Sequence, residues 1–271
     1  MTVLSVDELL TPLSENQPCG PDLEYDAAFM ALQTLASGTP ERQSGDTVIA
    51  AEPPNWLDVY DAALALAKRT RELRIAVLLT RAAARTQGLA GYAAGLSLVA
   101  RLLEQRWDGV HPRLDEADGG DATMRLNALA PLCSHDSGLD DLRASWLVAA
   151  GHPLTVRLIE LALTKAEPLP GQTRPTAAGI AKGLQEATAA DATLPDKLRA
   201  VQAAANGIER TVSARAGIAG PDLKPLLQIT QALDRAAAAA QGGSVEAVAS
   251  GDTASAADAH NAVATGAIRT R

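Results

Sequence analysis

Between positions 107 and 129 the chain reads WDGVHPRLDEADGGDATMRLNAL, which gathers Trp107, His111, Pro112, five acidic side chains and Arg125 into one short stretch. A histidine close to carboxylates could support general acid–base chemistry, with Asp115 or Asp118 working beside His111. The same oxygens could hold a cation, but the spacing argues against calcium. A loop begun at Asp115 has Ala117 at its third position, where an oxygen ligand belongs, and Leu126 where a bidentate glutamate is required. His111, Cys133 and His135 lack the short local spacings of a zinc site, and neither Cys19 nor Cys133 belongs to a Cys-x-x-Cys pair. The bland reading of the stretch is a solvated acidic loop with a packing histidine.

Other chemistries find less support. The nearest approach to a nucleophile elbow, Gly95-Leu96-Ser97-Leu98-Val99, lacks the second glycine and falls within a helical pattern. No glycine-rich phosphate-binding motif occurs. The expectation is therefore no catalytic residue, no metal and no cofactor.

The elements that must position these residues are helical. Of 271 residues 47% are hydrophobic and only 3% aromatic, with alanine and leucine dominant, which points to an all-α fold able to bury a core without staples. A net charge of −8 works against nucleic acid and against an anionic membrane surface. The N-terminus lacks the basic start of a signal peptide, and the uncharged run from Thr86 to Ala100 is too short for a membrane span, so a soluble cytoplasmic protein with free thiols is expected.

The spacing predicts a turn of helix at Val6–Leu10 and a helix over 24–37 carrying Tyr25, Phe29, Leu32 and Leu35. A mobile loop is expected over 38–54, with three prolines and two glycines, and then Asn55 as the cap of a helix that carries Trp56. The next helix, 71–87, places Arg71, Arg74, Arg81 and Arg85 in one narrow sector beside an apolar remainder. That edge could pair internally, with the acidic residues of 107–121 as counter-charges, or could face a partner; internal pairing is preferred. Gly88 should end this helix, and Gly91 and Gly95 on the following one, 89–106, could admit a close neighbour. Further helices are predicted at 122–133, with Asp121 as a candidate cap, and at 139–149 and 156–165. An alanine-rich hairpin or small bundle should follow, at 176–190, 195–216 and 221–240. The sequence divides into a helical domain at 1–168, a middle helical region at 174–241 and a flexible linker at 242–271.

The order of motifs resembles the ImpA-type N-terminal domain of the TssA family of bacterial type VI secretion systems. The resemblance rests on Leu9, Leu10 and Pro12, Cys19-Gly20-Pro21-Asp22-Leu23, Tyr25-Asp26, Trp56 with Val59, and Arg71-Glu72-Leu73-Arg74-Ile75-Ala76. It continues through Gly88-Leu89-Ala90-Gly91, Trp107-Asp108-Gly109-Val110-His111-Pro112, Asp115, Asp118 and Arg125-Leu126-Asn127-Ala128-Leu129. It implies a non-enzymatic assembly component that engages baseplate, tube and sheath proteins and helps prime or coordinate tail polymerisation. It also implies that Trp56, Arg74, Gly88, Gly91, Trp107, Asp108, His111, Pro112, Asp115, Asp118 and Arg125 serve structure or interaction. Gly266-Ala267-Ile268-Arg269 resembles the start of the segment leading to the C-terminal domain of longer members, through which oligomerisation is expected. The competing readings are a generic cytoplasmic helical adaptor and a metal-dependent enzyme using the 107–121 loop.

Overall fold

A computed structural model describes residues 4–44, 47–149, 153–216 and 220–241. The predicted linker at 242–271 lies outside them. The fold is mostly α, with ten α-helices and one two-stranded ribbon among the described residues. Helix α1 spans Val6–Leu10, α2 Ala27–Ser37 and α3 Trp56–Ala67, with β1 (Arg42–Ser44) and β2 (Thr47–Ile49) between α2 and α3. Then follow α4 (Leu73–Arg106), α5 (Thr123–Leu129), α6 (Gly138–Ala144), α7 (Val156–Leu163), α8 (Ala177–Ala190), α9 (Leu194–Ala216) and α10 (Lys224–Ala240).

Two expectations near the N-terminus are corrected. Helix α2 begins at Ala27 because Asp26 caps it, accepting from the Ala28 N–H at 2.9 Å. Tyr25 is left on the incoming chain, 88% exposed, so Phe29 and Leu32 alone of the predicted stripe are buried. The 38–54 segment, expected as a mobile loop, holds the antiparallel ribbon, with Arg42 opposite Ile49 and Ser44 opposite Thr47. Gly38, at φ 64°, ends α2, and Thr39 and Glu52 exchange backbone hydrogen bonds at 2.9 Å to close the base of the ribbon.

Helix α4 is a folded-back pair rather than one rod. Gly88 takes φ 65° and ψ −147°, so the arms 73–87 and 89–106 turn against each other. A Cβ on Gly95 would stand 2.6 Å from the Thr80 Cα, and one on Gly91 would stand 2.4 Å from the Ala83 carbonyl oxygen. The close neighbour that Gly91 and Gly95 admit is thus the preceding arm. The Leu89 N–H, released from helical bonding, donates to the Trp146 carbonyl at 2.9 Å.

Pro131 shortens α5, whose continuation is the 3₁₀ turn Ala130–Leu132, and α6 stops at Ala144, where Ser145 turns extended. Asn55 caps α3 by accepting from Leu57 N–H, and Thr176 caps α8 by accepting from Gly179 N–H. Helix α9 lies along α4 and α10. Its Ala204, Ala205, Ile208 and Val212 join the same apolar cluster as Leu79, Leu96 and Leu103 of α4. Since α9 and α4 share this core, the division into 1–168 and 174–241 is a proposal about chain organisation.

Candidate functional site

The stretch that opens with Trp107 meets three other segments at one node. The Arg71 N–H donates to the Cys19 carbonyl at 2.7 Å, the His111 N–H to the Arg71 carbonyl at 2.9 Å, and the Leu73 N–H to the His111 carbonyl at 2.8 Å. Thr70 adds a hydroxyl bond to the Pro21 carbonyl at 2.7 Å. Gly20 sits at φ 71°, and a Cβ there would lie 2.6 Å from the Arg69 carbonyl, so the approach of 19–21 to 69–71 requires glycine.

Arg125 locks the node. It is fully buried on α5, and its guanidinium donates to the carbonyls of Trp107, Val110 (2.8 Å) and Pro112 (2.9 Å) while lying 4.9 Å from the centre of the Trp107 ring. Burial lowers its pKa to about 10, against the favourable field of Asp108. It remains charged at neutral pH. One fork therefore satisfies carbonyls that a non-repetitive corner would otherwise leave bare.

His111 is a buried tie. Its Nε2 donates to the Gly20 carbonyl at 3.1 Å, and its Nδ1 lies 3.8 Å from an Asp22 oxygen. Asp115 and Asp118 lie exposed on the turn beyond it. There the Asp115 side chain accepts from the Ala117 N–H at 2.9 Å, and Asp121 accepts from Thr123 N–H at 2.8 Å just ahead of α5. The structure does not assemble the acid–base pair that the spacing allowed. Among the described residues, no three or more His, Cys, Asp or Glu side chains are grouped as a metal would need. Burial raises the thiol of Cys19 and pushes that of Cys133 up to about 12, away from thiolate reactivity.

The arginine edge pairs internally, with different carboxylates from those anticipated. Arg74 grips Glu72 through two bonds of 3.0 Å and lies 4.9 Å from the Phe29 ring. Arg81 and Arg85 reach Asp141 at 2.6 and 2.5 Å, Arg85 also reaches Asp140 at 2.7 Å, and both arginines lie over Trp56. Arg71 is not on the helix at all. It precedes α4, buried, and donates to the Ala67 and Thr11 carbonyls at 2.6 and 2.7 Å. The acidic corner docks at the start of α4, whereas Arg81 and Arg85 stand about 14 and about 20 Å farther along the arm, where α6 packs.

Sequence reasoning passed over Asp141 and Glu160. Both are buried, and both are held by two arginines: Glu160 by Arg143 at 2.8 and 2.9 Å and by Arg157 at 2.7 Å. The usable signal was position. Glu160 stands in the apolar stripe of α7 with Val156, Ile159 and Leu163, where an acid needs a buried partner.

Burial pushes the Glu160 carboxyl up, but bonds from Arg143 and Arg157 outweigh it, so its pKa falls below the ordinary 4.5. Its contribution to stability is complete above that value and is lost as pH falls through the lower folded-state pKa. Thermal melts at successively lower pH below 4.5 should show a decline that is shallower in Glu160→Gln, whose melting point is already reduced at neutral pH. Parallel curves would remove Glu160 from the acid limb.

Residues 10–134 match the family described as ImpA, N-terminal, type VI secretion system. The chain is 51% identical over 130 residues to the type VI secretion system component TssA1 of Pseudomonas aeruginosa, a match covering 48% of this chain and 38% of that protein. It also resembles the solved N-terminal domain, including the conserved ImpA_N region, of the TssA component from Burkholderia cenocepacia. That likeness has a TM-score of 0.62 and 26% identity over 89% of this chain and 95% of that one.

Proposed function

We propose, from the premise that residues 10–134 belong to the ImpA N-terminal family of type VI secretion systems, that the chain is a non-enzymatic TssA-type assembly component. It engages baseplate, tube and sheath proteins on the cytoplasmic side and helps prime or coordinate tail polymerisation. The observation that supports this most is the use to which the family motifs are put. Cys19–Asp22, Arg71–Leu73, Trp107–Pro112 and Arg125 converge on one node of backbone and guanidinium bonds, so the motifs are spent on holding a helical platform together. The net charge of −8 favours protein partners over nucleic acid. Among the described residues no helix is long and apolar enough to cross a membrane.

The chain spans 38% of the length of its Pseudomonas relative, so the partners of a whole assembly protein are part of the proposal. Affinity purification of the tagged chain from cells with an active secretion system tests it. Enrichment of baseplate or sheath proteins over an untagged control is expected. Retrieval of unrelated proteins alone would favour a generic adaptor.

A further inference from the structure

We propose that the groove between α6, α7 and α10 is a docking site for an acidic, partly apolar segment of another protein. This goes beyond the family-level reading and names a surface that reading does not supply. The groove encloses about 1350 Å³, larger than the roughly 300 to 1000 Å³ of ordinary small-molecule pockets, and is open along one side.

The charges facing it are unbalanced once internal pairs are removed. Glu160 is committed to Arg143 and Arg157, and Asp140 to Arg85, which leaves Lys165 and Arg235 as cations without a carboxylate among the described residues, against Glu167. Arg235 is half-buried on α10 where it lines the groove. Leu169, 65% exposed, stands on the same wall and offers an apolar contact.

That wall is preformed. It has no helix, yet Arg174 donates to the carbonyls of Leu161, Thr164 (3.0 Å) and Ala166 (2.6 Å), and Arg157 to the Glu167 carbonyl at 2.6 Å. A wall held open in this way lowers the ordering cost of binding. A ligand carboxylate would meet Arg235 and Lys165 while an aliphatic side chain covers Leu169.

The test uses the full chain and a fluorescein-labelled peptide of alternating glutamate and leucine, with a lysine-for-glutamate counterpart, read by fluorescence anisotropy. Saturable binding of the glutamate peptide, weakened by salt, is expected, together with a loss of about tenfold in each of Lys165→Glu and Arg235→Gln. Lys165 is exposed, so its variant should melt like the parent and keeps the test independent of folding. Equal binding of the lysine peptide, or affinity unchanged in both variants, would overturn the proposal. Binding that emerges only when residues 242–271 are removed would also overturn it, by assigning the groove to the chain's own tail.

Discussion

Replacing Arg125 with leucine is expected to destabilise the fold by about 3 to 5 kcal/mol, more than any surface substitution should. The change orphans the carbonyls of Trp107, Val110 and Pro112 together and removes the cation lying over the Trp107 ring. Each bare buried acceptor costs about 1 to 3 kcal/mol, only partly offset because the variant no longer buries a charge. Lysine should not rescue it, since an ammonium carries its three donors on one nitrogen and cannot span carbonyls that Arg125 reaches with Nε, Nη1 and Nη2. Arg113→Leu, next to Pro112 but exposed, is the control and should change stability by less than about 0.5 kcal/mol. Urea unfolding distinguishes them; equal midpoints for both variants would mean that Arg125 does not hold the corner.

Gly88→Ala should have a comparable effect by a different route. At φ 65° and ψ −147° the backbone occupies a region essentially reserved for glycine, and a Cβ there would meet the Trp146 carbonyl at 2.6 Å and its indole Nε1 at 2.7 Å. Strain and overpacking together should cost about 2 to 5 kcal/mol and loosen the two arms of α4. Gly119→Ala is the mild comparison, because Gly119 has positive φ, 66°, but with ψ 21° it lies in the left-handed helical region that other residues visit, and a Cβ added to it would meet nothing within 4 Å. It should cost only about 1 kcal/mol. Equal losses in the two variants would show that neither the Gly88 backbone conformation nor its closeness to Trp146 fixes the turn.

Several of these features could be read in the sequence because their causes are local. Asn55 ahead of Trp56, the break at Gly88 and the apolar faces of α9 and α10 follow from capping, glycine and helical period. The ribbon at 42–49 could not be read this way, since two three-residue strands amid proline and glycine leave too short an alternation to register. The arginine arm was legible as an edge seeking carboxylates, but its partners on α6 depend on how α4 folds back, which no local pattern encodes. The 107–129 stretch illustrates the same limit. Composition gathered His111, Asp115 and Asp118 as if for chemistry, whereas packing buries His111 against Gly20 and leaves the two acids in solvent.

The central claim, that this helical platform works by contact within a secretion assembly, is tested most directly by lysine crosslinking of the intact assembly followed by mass spectrometry. Crosslinks from exposed Lys68, Lys165, Lys182 or Lys224 to baseplate or sheath proteins are the predicted result. Crosslinks confined to proteins outside the secretion machinery, from cells in which that machinery is assembled and active, would contradict it.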